Sequence, residues 1–189
     1  DSDPIAEYEE CQIKAAFLSS LPSGAGHFET IRFHAEDGVK RIALYREHLD
    51  RLSHSAKALR IPLDINAASA LLEQSVMHLP TTSAYRVRLD LSRLGELSIS
   101  SAVLGDLPPS VKVFWAHEIL EGATHSLRMQ SNNPLLLHKT TQRKVYDLAW
   151  QKAVSLGGFD ALFINERGEL TEGGRTSIFV RPPNSGEWL

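Results

Sequence analysis

Apolar positions along the 189-residue chain alternate between helical and strand periods. Ile5, Tyr8, Cys11, Ile13, Ala15, Ala16, Phe17 and Leu18 recur at near-helical spacing after Asp3-Pro4, which predicts one amphipathic helix over residues 5–21. Pro22-Ser23-Gly24-Ala25-Gly26 then reads as a linker. Residues 28–33 and 39–45 read as two short strands around Glu36-Asp37-Gly38, a hairpin. Two helices are expected next. The first, over 47–59, carries Leu49, Leu52, Ala56 and Leu59 on one stripe, and the second, over 65–77, stops at Leu79-Pro80. Residues 85–91 and 97–103 alternate around Gly95, and the apolar run 111–115, after Pro108-Pro109, is expected to continue a mostly antiparallel sheet. Farther on, Leu135-Leu136-Leu137-His138-Lys139 leads into a helix over 142–155 that ends at Gly157-Gly158. Residues 160–165 and 169–171 flank the turn 166–168, and 176–180 reads as a last strand. The fold class is α+β. The proline pair is the expected boundary, giving a leading helix (1–21), a small domain with a mostly antiparallel sheet (22–109) and a larger, β-rich domain (110–189) that carries Lys139.

Composition narrows the classes. With 42% hydrophobic and 23% charged residues, the chain buries a real core. Its 20 basic and 23 acidic residues are interspersed without a basic run, which argues against nucleic acid as a partner. Cys11 is the single cysteine, so an intrachain disulfide and a thiolate-rich zinc site are both excluded, and a cytoplasmic setting is expected. No apolar stretch approaches the ~20 residues that span a bilayer, so no membrane is expected. Histidines 27, 34, 54, 78, 117 and 125 show neither HExxH nor paired Cys/His spacing, so no metal is expected. The chain starts without Met and stops at Leu189 after a strand-like run, which suggests a piece of a longer polypeptide.

Lys139 is the first candidate for chemistry, because it follows three leucines and a histidine and precedes a helix start. In a partly desolvated site its neutral amine is favoured, and it becomes able to condense with an aldehyde and to move protons. On spacing alone, a lysine snorkelling from a strand end is the favoured reading. The segment Leu170-Thr171-Glu172-Gly173-Gly174-Arg175-Thr176-Ser177-Ile178-Phe179-Val180 changes the balance, with Glu172 lying 33 positions after Lys139 (172 minus 139).

Together these segments resemble the class IV aminotransferases and aminodeoxychorismate lyases, the fold-type IV pyridoxal-phosphate enzymes. Phe28-Glu29-Thr30-Ile31-Arg32 is similar to the family's first strand, and Leu44-Tyr45-Arg46-Glu47-His48-Leu49-Asp50-Arg51-Leu52 to its phosphate-binding helix. His138-Lys139-Thr140-Thr141 is similar to its lysine loop. The resemblance implies pyridoxal 5'-phosphate as cofactor, held covalently by Lys139, with Arg51 on the phosphate and Glu172 against the pyridine nitrogen. One of Thr176 and Ser177 is expected beside the cofactor, and Arg143 and Arg93 are candidates for substrate carboxylates. A structural hydrogen-bonding role is expected for His48. A solvated helix face for Arg51 and an exposed hairpin for Glu172 are the plain alternatives.

The reaction implied is cleavage of 4-amino-4-deoxychorismate to 4-aminobenzoate and pyruvate, in folate biosynthesis. His138-Lys139-Thr140-Thr141-x-Arg143 is similar to lyase domains fused behind a chorismate-using synthase, and Lys144 stands where branched-chain aminotransferases carry a tyrosine. Asp1-Ser2-Asp3-Pro4 and the stretch 7–15, with Glu10 and Lys14, are similar to the end of chorismate-binding synthases. A fused upstream chorismate-binding domain and a homodimer follow as expectations. So does weak cofactor binding, or none, by this stretch alone, since family members continue past Leu189 with further phosphate donors. A branched-chain or D-amino-acid aminotransferase, and a silent scaffold or dimerisation domain, are the alternatives.

Overall fold

A computed structural model describes residues 25–36, 38–120, 128–183 and 186; the expected helix over 5–21, with Glu10 and Lys14, lies outside the described residues. The chain divides into two compact units. The first comprises the described residues up to Asp106 together with Pro134–Gln142, and the second comprises Leu107–Asn133 and the residues from Arg143 onward.

In the first unit, β1 (His27–Glu36) and β2 (Val39–Ile42) form the expected hairpin, with Glu36 opposite Val39 and Gly38 at φ 76° in the turn. β1 also pairs with β3 (Tyr85–Leu91), and β3 with β4 (Leu97–Val103), so the antiparallel sheet runs in the order β2-β1-β3-β4. Between them come α1 (Tyr45–Ala58) and α2 (Ile65–Met77). Asp64 starts α2 by accepting from the backbone N–H groups of Asn66 and Ala67, a side-chain cap on otherwise orphan donors. The predicted stripe of α1 is buried: Leu52, Ala56 and Leu59 pack with Ala68 of α2 and with Leu89 and Leu91 of β3. Leu72 and Val76 of α2 pack on Ile31, Phe33, Tyr85 and Val87. Period-two alternation explains the strand side of this core, since Ile31 and Phe33 share one face of β1, and Tyr85, Val87, Leu89 and Leu91 one face of β3.

In the second unit, β5 (Val113–Trp115), β6 (Asp160–Ile164) and β7 (Leu170–Gly173) form a separate sheet. β5 runs parallel to β6. The apolar run at 111–115 therefore does not continue the first sheet, as its sequence suggested. A short α3 (Ala116–Ile119) and α4 (Lys144–Ser155) cover this sheet through Ala116, Ile119, Ala149, Ala153, Ala161 and Phe163. Alanine at positions 149, 153 and 161 allows close helix-on-sheet packing.

Three further expectations need correction. Residues 176–180 form no strand, because no described segment offers a ladder to them; the start of this stretch is held instead by the carboxylate of Asp160. Ala25 and Gly26, read as linker, are buried, with the Gly26 N–H on Thr141 Oγ1 at 2.9 Å. Lys139, expected in the second domain, groups with the first unit, where the turn Pro134–Leu137 leads into residues that pair with β1.

Gly95 closes the β3–β4 hairpin at φ 89°, and a methyl group placed there would lie 2.8 Å from the Pro62 carbonyl oxygen. Gly95→Ala should cost about 1–3 kcal/mol. A lowered urea midpoint by circular dichroism is the expected result, and an unchanged midpoint would contradict this account of the hairpin.

Candidate functional site

The lysine segment closes on the edge of β1 through an isolated bridge. β2 covers only residues 33–36 on its side of β1, and residues 139–141 take the stretch it leaves open. Phe28 N–H donates to the Lys139 carbonyl at 2.9 Å, Thr141 N–H donates to the Gly26 carbonyl at 3.0 Å, and His27 lies opposite Thr140. Alternation then puts Phe28 and Lys139 on one face, and His27, Glu29 and Thr140 on the other. Lys139 is half-buried, with Nζ 5.7 Å from the centre of the Phe28 ring. Its neighbour His138 turns to α1, where Nδ1 meets Ser55 Oγ at 3.0 Å. Burial pushes the His138 pKa down, and His27 and His54 add to the effect, so the ring stays neutral.

On the helix-bearing face, Glu29 is wholly buried and is the carboxylate that organises its surroundings. Arg51 grips it side-on, with Nε on Oε1 at 2.8 Å and Nη2 on Oε2. His48 Nδ1 lies 2.7 Å from Oε2 and His27 Nε2 lies 3.0 Å from Oε1. An acceptor-only carboxylate requires Nδ1–H on His48, so the 3.2 Å approach of Arg51 Nη2 to that same nitrogen is a contact between two donors rather than a bond. Burial pushes the Glu29 pKa up, but hydrogen bonds from Arg51, His27 and His48 outweigh it and hold the carboxyl well below the usual carboxylate range. The Arg51 side chain is 41% exposed, and its Nη1 has no acceptor among the described residues.

Glu172 lies in the second unit, on β7. Tyr146 of α4 donates its hydroxyl to Glu172 Oε1 at 2.7 Å, while its ring packs 4.7 Å from that of Phe163. Burial first, and the adjacent carboxylate second, push the Tyr146 pKa up, so the phenol remains a donor. The Arg143 guanidinium stacks 4.4 Å over the Tyr146 ring and donates to the Gly174 carbonyl. Asp160 is wholly buried and accepts from Arg175 N–H at 2.9 Å, Thr176 N–H at 3.0 Å and Thr176 Oγ1 at 2.7 Å. Thr176 is thereby tied inward, whereas Ser177 is exposed.

The candidates thus fall into two groups, Lys139, Arg51 and Arg93 in the first unit and Glu172, Arg143, Thr176 and Ser177 in the second. Arg93 is engaged locally, with Nη1 on the Leu59 carbonyl at 2.8 Å and the Arg60 carbonyl at 2.7 Å, where it satisfies the end of α1. It lines a cleft of about 330 Å³ with Gly26, Asp90, Ser92, Glu96 and Thr141. Neither Lys139 nor Arg51 lines this cleft, and Asp90 is already paired with Arg88.

A sequence model of the amino-transferase class IV family matches residues 26–185, most of the chain. The chain belongs to the class IV aminotransferases. Curated protein sequences give no match. Among solved structures, a chain from Mesorhizobium loti assigned as an amino-acid aminotransferase is 28% identical, with a TM-score of 0.64 over 79% of this chain and 67% of its own. One assigned as a 4-amino-4-deoxychorismate lyase is 26% identical, with a TM-score of 0.62 over 84% and 61%. A branched-chain aminotransferase from Thermoproteus uzoniensis, 19% identical with a TM-score of 0.67 over 87% and 59%, shares the fold. The chain spans 59–67% of the length of these three relatives.

Class IV aminotransferases depend on pyridoxal phosphate. Within the first unit, a half-buried amine and a guanidinium with an unused edge are residue types suited to that group's aldehyde and phosphate. Sequence reasoning missed Glu29, Tyr146 and Asp160. A carboxylate at the inward phase of β1, two residues before Ile31, was the available signal for Glu29. Among the described residues, no grouping of His, Cys, Asp and Glu is suited to a metal ion, and no helix is long and apolar enough to cross a membrane.

The depressed Glu29 pKa fixes the sign of an acid effect. The folded form favours the ionised carboxyl, so its stabilisation is complete above the unfolded value of about 4.3 and is lost as pH falls below it. The free energy that protects β1 amides from hydrogen exchange, taken relative to the intrinsic exchange rate at each pH, should therefore fall below about pH 4.3, with a slope of up to ~1.4 kcal/mol per pH unit from this group. Glu29→Gln should remove that component, and equal acid slopes in both proteins would refute it.

Proposed function

We propose that the chain carries the pyridoxal-phosphate site of a 4-amino-4-deoxychorismate lyase, forming 4-aminobenzoate and pyruvate. The observation that carries this reading is the lysine segment. Lys139 is followed by Thr140, Thr141 and Arg143, and position 144 is an exposed lysine at the start of α4, where the branched-chain enzymes are expected to have tyrosine. The solved structure assigned as a lyase, at 26% identity, supports it. So do residues 1–15, in their resemblance to a chorismate-binding synthase. An upstream domain of that kind on the same polypeptide would deliver the substrate directly, and a homodimer is the assembly we infer.

Lys139 would hold the cofactor covalently, Arg51 would bind its phosphate, and Glu172, oriented by Tyr146, would keep the pyridine nitrogen protonated. When bound, pyridoxal phosphate would supply the electron sink for the substrate carbanion. Lys139 Nζ would take the proton lost from the substrate ring carbon that bears nitrogen. The ether C–O bond to the enolpyruvyl group then breaks, the ring becomes aromatic, and enolpyruvate leaves and gains a proton to become pyruvate.

The natural-length protein, supplied with pyridoxal phosphate and aminodeoxychorismate, should release 4-aminobenzoate and pyruvate in equal amounts. Lys139→Ala should lower that rate by at least about a hundredfold. Formation of a keto acid from an amino donor without 4-aminobenzoate would assign the site to an aminotransferase instead. Neither reaction, with no cofactor taken up, would favour a silent scaffold.

A further inference from the structure

We propose that Glu29 is a positioning residue of the anion site: by taking the Nε–Nη2 edge of Arg51, it turns the opposite edge of the guanidinium toward the cofactor phosphate. This rests on the reading that Arg51 binds that phosphate. A buried ion pair kept only for stability has both ends enclosed, whereas here Glu29 is wholly buried and Arg51 is 41% exposed. Glu29 cannot move toward a ligand. Its two oxygens are taken by Arg51, His48 and His27, and His27 is itself wholly buried in β1. His48 and Arg51 are three residues apart on α1 and converge on the same carboxylate, so one turn of helix is fixed against β1 at the point where Arg51 emerges. A guanidinium is a planar fork, so fixing one edge fixes the other. The outward edge carries Nη1, which has no acceptor among the described residues.

Charge and geometry pull in opposite directions here, which makes the role testable. As a negative charge behind Arg51, Glu29 weakens attraction for a phosphate; as a clamp, it strengthens binding by orienting the donors. Glu29→Gln removes the charge and breaks the clamp, because an amide offers one acceptor oxygen and a donor NH2 where the bidentate grip uses two acceptor oxygens.

In the natural-length protein, equilibrium binding of pyridoxal phosphate is compared with binding of pyridoxal, which lacks the phosphate. Glu29→Gln should weaken pyridoxal phosphate about tenfold and leave pyridoxal unchanged, a lost preference of the size of one oriented charged hydrogen bond. Unchanged or tighter pyridoxal phosphate binding, or equal weakening of both ligands, would overturn the proposal. Arg51→Lys carries the test if the Glu29 variant does not fold. A lysine keeps the charge but cannot serve Glu29 and a ligand through two edges, so most of the preference should vanish, and a preference retained within about twofold would overturn the clamp. Arg51→Ala separates the parent reading: if it keeps the preference for pyridoxal phosphate, Arg51 is not the phosphate ligand and both readings fall, whereas its loss in Arg51→Ala but not in Glu29→Gln removes only the role of Glu29.

Discussion

A carboxylate with no solvent access must be compensated at once, and in the first unit that requirement ties strand to helix. Glu29 on β1 is satisfied by His27 from its own strand and by His48 and Arg51 from α1. Taking a carboxylate out of water costs several kcal/mol, so this arrangement persists only because its oxygens are supplied with donors. The consequence reaches beyond stability. α1 cannot rotate about its axis or slide along β1 without breaking these bonds, and the apolar stripe of Leu52, Ala56 and Leu59 settles into the core in a register consistent with them.

The second constraint is the unfilled edge of β1. β2 is four residues long and leaves the start of β1 without a ladder. Residues 139–141 supply one from far along the chain, with two backbone hydrogen bonds and the Thr141 side chain on Gly26. A buried backbone demands such partners. The same pairing places Lys139 beside Phe28, so a lysine that follows three leucines becomes half-buried against an aromatic ring. In the second unit Asp160 acts comparably, organising the turn after Glu172 through backbone donors while Tyr146 orients the carboxylate itself.

Much of the α+β architecture was legible in the pattern of the chain. The stripes of α1 and α2 and the alternation of β3 are carried by single faces of apolar residues, and these face the core as the periods indicate. What periodicity could not supply was partnership. The run at 111–115 has the strand pattern that any sheet would accept, and only a parallel neighbour distant in sequence, β6, decides which sheet receives it. Residues 176–180 have the same pattern and no ladder, and Asp160 takes their leading donors instead. At the candidate site, residue types marked Lys139, Arg51 and Glu172. The groups that orient them, Glu29 and Tyr146, are distant in sequence from their partners, by 22 positions for Glu29 and Arg51 and 26 for Tyr146 and Glu172, and no local spacing links them.

We propose that Lys139 is the amine that holds pyridoxal phosphate. Treating the natural-length protein with pyridoxal phosphate, reducing with borohydride and mapping the peptides by mass spectrometry tests it directly. The phosphopyridoxyl mass should appear on Lys139 in close to one copy per chain, with none on the exposed Lys144 five residues later. Label absent from Lys139, or spread over surface lysines in proportion to their exposure, would contradict the account.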